Sequence, residues 1–390
     1  MDKVAGAPRV HLHRRTIAGV EPSPGTGRTT PTLVGRSAEL DDLDDLLASA
    51  AAGVGAVVLL EGEAGVGRTS LVESLVPGAG LLGVDATLVR AAADDPPCAP
   101  LLAALPADVD TPADTGSDGS PDPLRVAELL RRRGAGPPWM LVVDDVHRAD
   151  DATLAALTRL AGDGPLTATL LVLTLRPVPP RAAVQALVSA WVRAGARNLE
   201  LRPLDPASAL ALAEAEAGAR LGPGMRGAVA TAGGNPRLVV AVVRAALDAG
   251  ALTEVAPGML DAVDQAWRAG LVAPVHEQLA DLDDEVRALL AAAAVLGASF
   301  VVPDLAVVAE LPVADCWRRL RHALAAGVVA ARGDRLVFRH DVVRSVLYDD
   351  LDDPVRRELH RRAAATLAAV GAPIQVIAAH LERAQRSEPS

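Results

Sequence analysis

Leu40, Leu43, Leu46 and Leu47 recur at three- and four-residue spacing, so residues 38–48 are expected to form a helix with one apolar stripe. Residues 56–61 are a short apolar run, the mark of a buried strand. Similar runs lie at 84–90, 139–144, 169–175 and 199–201. Helical patterns fall between them at 70–76 and 150–161. Strands alternating with helices predict an α/β fold: a parallel sheet covered on both faces.

After residue 202 no strand pattern is read until a late hairpin. Residues 205–217, 224–231 and 236–249 read as helices, followed by 283–296, 303–310 and 313–325. Segments 328–331 and 336–339 then flank Gly333-Asp334, a hairpin signal. Three helices and a hairpin are the order of a winged-helix module. Helices resume at Val342, at 354–370 and at 373–384. The expected divisions are a disordered tail at 1–30, an α/β domain at 31–202, a helical lid at 203–276, a winged-helix domain at 277–345 and C-terminal helices at 346–390. Residues 107–121 are polar with Gly and Pro and read as a loose surface loop.

Composition narrows the classes. Half of the 390 residues are hydrophobic, 22% are charged and only 2% are aromatic, so a folded core must be built from Ala, Leu and Val. The net charge of −11 argues against a chain-wide nucleic-acid or anionic-membrane surface. The Arg-rich stretch at 318–362 is the most plausible basic patch. Cys98 and Cys316 stand far apart without metal-ligand spacing, which fits a reducing, cytoplasmic location. No secretory signal and no transmembrane run are read. The only lysine is Lys3, so no lysine is available to an active site.

The chemistry concentrates at Gly62-Glu63-Ala64-Gly65-Val66-Gly67-Arg68-Thr69, directly after the 56–61 strand. The segment fits the phosphate-loop pattern G-x-x-x-x-G-K-[ST] except that Arg68 replaces lysine. Its glycines let successive N–H groups turn inward toward phosphate oxygens. Thr69 offers a hydroxyl to a magnesium ion, and Ser70 follows it at the helix start. Met140-Leu141-Val142-Val143 ends in Asp144 and Asp145. Asp144 is the candidate metal ligand opposite Thr69, and Asp145 the candidate for polarising a water. Gly25-Thr26-Gly27-Arg28-Thr29 imitates the loop, but Pro22 stands where its first glycine should be.

Leu33-Val34-Gly35-Arg36, the phosphate loop and Val143-Asp144-Asp145-Val146-His147-Arg148-Ala149-Asp150 together resemble the STAND class of signalling ATPases. The likeness is greatest to the ATPase part of large LuxR-type bacterial regulators related to the maltose regulator, and it covers about residues 32–385. It implies an ATP/ADP-binding regulatory switch with Mg2+. Val34, Gly35 and Arg36 would lie near adenine and ribose. Arg176 would sense the γ-phosphate, although a plain strand-end cation is the bland alternative. Gly234-Asn235-Pro236 would set Pro236 against the base, and equally reads as an N-cap and first turn. In Arg339-His340-Asp341, His340 would reach the β-phosphate of ADP and hold the lid.

Two departures bear on activity. Arginine is longer and planar where lysine is compact, so nucleotide binding with weak or absent hydrolysis is expected. Relatives continue into a helical repeat sensor and a DNA-binding helix-turn-helix, and this sequence ends before either. It could be a fragment, a truncated product or a stand-alone module. The implied partners are an adenine nucleotide, other proteins or a second copy through the ATPase and lid regions, and DNA through a missing C-terminal domain. Two other readings stay open: a DNA-binding winged helix using Arg318, Arg319 and Arg321, and a metabolic P-loop enzyme, for which no acceptor motif is found.

Overall fold

The computed structural model describes residues 11–12, 33–106, 121–176, 181–262 and 264–385. The imitation loop at 25–29 lies outside them, as does the expected surface loop up to residue 120. The chain forms two compact units. The first runs to Gly62, resumes at Gly67–Arg176 and continues to Arg202; the second takes Glu63–Val66 and everything from Pro203.

The first unit is built on six parallel strands: β1 (His11–Leu12), β2 (Ala56–Gly62), β3 (Asp85–Arg90), β4 (Trp139–Asp144), β5 (Thr169–Leu175) and β6 (Arg197–Leu201). Their order is β1-β3-β4-β5-β2-β6. Every residue of β4 and β5 is buried, which explains their unbroken apolar sequence. β1 was not anticipated: His11 and Leu12, within the expected tail, pair with Thr87 and Leu88 of β3.

Two features of the register place the chemistry. β5 lies between β2 and β4, so its C-terminal end stands between the loop after β2 and the carboxylates after β4. β3 pairs with β4 so that Arg90 is opposite Asp144. Ligands of open α/β sheets bind at such carboxyl ends.

The helix expected at 70–76 begins earlier and breaks: Arg68–Ser74 is followed by Val76–Leu81, with Pro77 in its first turn. Three helices of this unit went unread: Ala99–Ala103, Pro123–Gly134 and Ala182–Arg193. The second of these ends in an arginine run that masks its buried stripe of Val126, Leu129 and Leu130. Those arginines are spent locally: Arg131 donates to the carbonyls of Leu160 and Gly164, and Arg133 lies over the Trp139 ring.

The second unit is mainly helical, with a core that runs continuously from Leu204 to Ala363. It also contains strands where none were expected. Arg220–Leu221, Leu252–Ala256 and Met259–Ala262 form a three-stranded sheet. Thr253, Glu254, Val255 and Ala256 are exposed, so the strand carries no apolar signature. Asp261 in its partner accepts from the N–H groups of Gly224 and Met225, capping the helix Pro223–Thr231. Further on come the helices Asp284–Leu296, Val302–Val308 and Val313–Ala325, then the hairpin Val329–Arg332 and Arg335–Phe338. Ser299–Phe300 adds a third strand, and Phe300 packs against Phe338.

Tyr348, His360 and His380 form a chain of polar side chains among the last helices. The Tyr348 hydroxyl is 2.8 Å from Nε2 of His360, whose Nδ1 is 2.8 Å from Nδ1 of His380. Burial, and then the neighbouring charges of His380, Arg383 and Arg356, push the His360 imidazole down to about 4. Among the described residues no helix is long and apolar enough to cross a membrane. Cys98 and Cys316 are free and buried, and burial pushes the Cys98 thiol up to about 12.

Candidate functional site

In the first unit, the strand ends bring together the residues singled out after β2 and β4. Gly67 takes a left-handed conformation (φ +102°) that turns the chain into the helix beginning at Arg68. Arg68 is buried. One guanidinium nitrogen donates to the Gly62 carbonyl at 3.0 Å and another to Oδ1 of Asp145 at 3.1 Å. Thr69 donates its hydroxyl to Oδ2 of Asp144 at 2.8 Å.

Two residues that sequence reasoning did not single out complete this cluster. Thr174, near the end of β5, donates to Oδ1 of Asp144 at 2.6 Å and accepts from the Asp145 N–H at 2.9 Å. Arg90, at the end of β3, donates through Nε (3.1 Å) and Nη2 (2.8 Å) to Oδ2 of Asp144. The same Nη2 is 3.4 Å from the Thr69 hydroxyl.

The two carboxylates are driven apart in acidity. Burial works to raise Asp144, but the Thr174 hydrogen bond, the Arg90 charge and the Thr69 hydrogen bond outweigh it and hold this carboxyl below its ordinary range. Burial, then the Asp144 charge, push Asp145 up against the pull of Arg68, Arg176 and Arg90. Asp145 is also held in a left-handed backbone conformation (φ +56°), unusual for a residue with a side chain. Its carboxylate is already engaged by Arg68, which limits it as a base.

Thr69 and Asp144 are adjacent, as a metal site would need. Magnesium, however, wants oxygen ligands at about 2.0–2.1 Å in near-octahedral array. Asp144 already accepts from Thr69, Thr174 and twice from Arg90. This arrangement does not fit a magnesium ion. Among the described residues no group of three or more His, Cys, Asp or Glu could hold a metal.

In the second unit, Glu63 is the centre of a separate buried cluster. Asn235 Nδ2 donates to Oε1 of Glu63 and to the Ala64 carbonyl, both at 2.8 Å. Gln278 donates to the same carbonyl at 2.7 Å, and the Arg237 N–H donates to the Gly65 carbonyl at 3.2 Å. His340 Nε2 lies 3.0 Å from Oε1 of Glu63. Gly327, at φ +75°, passes so close that an added Cβ would be 2.9 Å from Oε2 of Glu63. Asn235 also caps the helix Pro236–Asp248, with Pro236 in its first turn. Thus His340 and the Asn235–Pro236 pair gather around residues 63–66.

The other expected residues are placed as follows. Gly35 turns the chain at φ +70°, and Arg36 is buried, donating to Glu39 and to the Arg202 carbonyl just after β6. Val34 is half-buried beside them, and Val66 is buried. Arg176 follows β5, and its charge is felt by Asp145. Ser70 is half-buried in the first turn after the loop. The Arg-rich stretch is largely neutralised: Arg318 pairs with Asp315, Arg319 with Glu285, Arg344 with Asp341, Arg356 with Asp353 and Arg362 with Glu310 and Glu358.

Residues 32–173 match the family model of the AAA ATPase domain. This segment resembles an AAA-type P-loop ATPase domain. No curated protein matches the sequence at a significant level. Among solved structures, the ORC2 protein of Aeropyrum pernix in its ADPNP–ADP complexes is 16% identical, with 87% of this chain and 96% of that one covered at a TM-score of 0.51. The Walker-type ATPase of Pyrococcus abyssi is 14% identical, with 81% and 96% covered at a TM-score of 0.50. These likenesses establish the P-loop NTPase fold. A STAND protein with a tetratricopeptide repeat sensor from Pyrococcus horikoshii covers 91% of this chain and 48% of its own at 16% identity, but its TM-score of 0.34 is too low to bear on function.

Proposed function

We propose that this chain is an adenine-nucleotide switch of the STAND class, the regulatory ATPase part of a transcriptional regulator, which binds ATP or ADP and hydrolyses ATP weakly or not at all. The single observation that carries the reading is the Arg68–Asp145 ion pair. The residue at the lysine position of the phosphate loop and the candidate base are each other's partners. In such a site nucleotide is held more readily than it is cleaved.

The roles follow from position. Residues 62–70 hold the phosphates, with Gly65 and Gly67 supplying the turns. Val34, Gly35 and Arg36 flank the nucleoside, and Pro236 packs on the base. Arg176 answers the γ-phosphate. His340 turns from Glu63 toward the β-phosphate of ADP when nucleotide is bound. Residues 63–66 belong by sequence to the phosphate loop, and their hydrogen bonds with Asn235 and Gln278 support a loop whose occupancy these partners feel. Differential affinity of ATP and ADP for the two arrangements would then shift their populations. Signal and output come from other proteins, a second copy or a DNA-binding domain.

Thermal unfolding with ADP and with ATP tests the reading. A ligand at about 100 times its dissociation constant adds roughly 2.7 kcal/mol of stability. A clear upward shift with either nucleotide is expected, and no shift with any nucleotide overturns it.

A further inference from the structure

The geometry points to Arg90 as a built-in cation of the nucleotide site, whose guanidinium stands where a divalent metal would bridge Thr69 and Asp144, so that nucleotide binds without magnesium. This rests on the nucleotide-binding reading above and deepens it.

A P-loop metal ion does two things: it links the loop hydroxyl to the carboxylate of the neighbouring strand end, and it neutralises phosphate charge. Arg90 already does the first. Its Nε and Nη2 reach Oδ2 of Asp144 at 3.1 and 2.8 Å, and Nη2 lies 3.4 Å from the Thr69 hydroxyl. The position is set by the sheet itself, because β3 pairs Arg90 with Asp144. A guanidinium keeps its charge at any working pH, so proton loss never vacates the position.

Arg90 is also suited to the second task. The side chain is 61% exposed while Asp144 is buried, so the guanidinium meets the carboxylate on one side and solvent on the other. A planar guanidinium with several donors can bridge a carboxylate and a phosphate together. Charge supports this count. Arg90 opposes the charge of both Asp144 and Asp145, while Arg68 and Arg176 oppose that of Asp145.

The test is direct binding of ADP and ATP to the full chain by calorimetry, in magnesium-containing buffer and in EDTA. For the natural protein, affinity is expected to differ by less than about threefold between buffers, under 1 kcal/mol. Arg90→Ala is expected to lose at least about tenfold in EDTA and to recover most of it when magnesium is added. Arg90→Gln, which keeps hydrogen-bonding capacity without charge, should show the same dependence and guards against a folding defect in the alanine variant. Nucleotide bound by the natural protein only with magnesium overturns this inference and leaves the switch reading intact. Arg90→Ala and Arg90→Gln binding in EDTA as tightly as the natural protein also overturns it. No binding in either buffer overturns the switch reading and this inference together.

Discussion

Arg68 and Asp145 lie 77 positions apart in sequence, yet a guanidinium nitrogen of one is 3.1 Å from a carboxylate oxygen of the other, with both side chains largely buried. A second nitrogen of Arg68 is tied to the Gly62 carbonyl. The pair therefore fixes the loop and occupies the candidate base at once. Lysine has one nitrogen and cannot make both contacts in this fork geometry.

Arg68→Lys should release Asp145 and raise ATP turnover. A positioned general base contributes about 100-fold or more to such reactions, so a gain of at least roughly tenfold is expected. Steady-state phosphate release measures it. Unchanged turnover with nucleotide still bound would show that the ion pair does not limit hydrolysis.

Thr174→Val replaces a hydroxyl in a fully buried strand with a methyl of similar shape. Asp144 loses a donor and the Asp145 N–H loses its acceptor. Leaving such buried groups unpaired costs about 1–3 kcal/mol. Urea unfolding should show that loss, and Thr174→Ser should recover most of it. Equal stability of the valine variant and the natural protein would contradict the network.

Much of this architecture is legible in the sequence, and the gaps have physical reasons. β4 and β5 are apolar throughout because both faces are covered, and the glycines of the loop announce its turns. Thr174 is hidden because threonine is an ordinary strand former; only the position of β5 between β2 and β4 gives its hydroxyl a role. Arg90 looks like any strand-end cation until the β3–β4 register sets it opposite Asp144. Glu63 occupies a position that the loop pattern leaves unspecified, so its ring of buried partners has no local signal. The Leu252–Ala256 strand escapes notice because its residues after Leu252 face solvent.

His340→Ala should speed the release of ADP by at least about fivefold, roughly 1 kcal/mol. The imidazole is buried against Glu63 in the structure and is the residue proposed to turn to the β-phosphate. Displacement of a fluorescent ADP by unlabelled ADP reports the rate. A dissociation rate equal to that of the natural protein removes His340 from the nucleotide site.

Acid should weaken the fold through His360. In the unfolded chain this imidazole takes up a proton near its ordinary value of 6.5, whereas in the fold it resists until about 4. Between those values the unfolded state binds more protons, so this contribution to stability falls as pH drops from 6.5 toward 4 and is constant above 6.5. The groups facing it are Tyr348, His380, Arg356 and Arg383, and the His380 value is lowered as well, first by burial and then by Arg383. His360→Gln should flatten the slope of unfolding free energy against pH in that window. An unchanged slope would place the acid sensitivity elsewhere.

The Thr174 hydroxyl has one proton to give, and it gives it to Asp144 while its lone pair receives the N–H of Asp145. The Asp144 carboxylate is thus tied through a single hydroxyl to the backbone of Asp145. Substitutions at Asp144 and Thr174 will not combine additively. Anyone who removes the Thr174 hydroxyl therefore disturbs the strand-end carboxylate and the turn that follows it in one step.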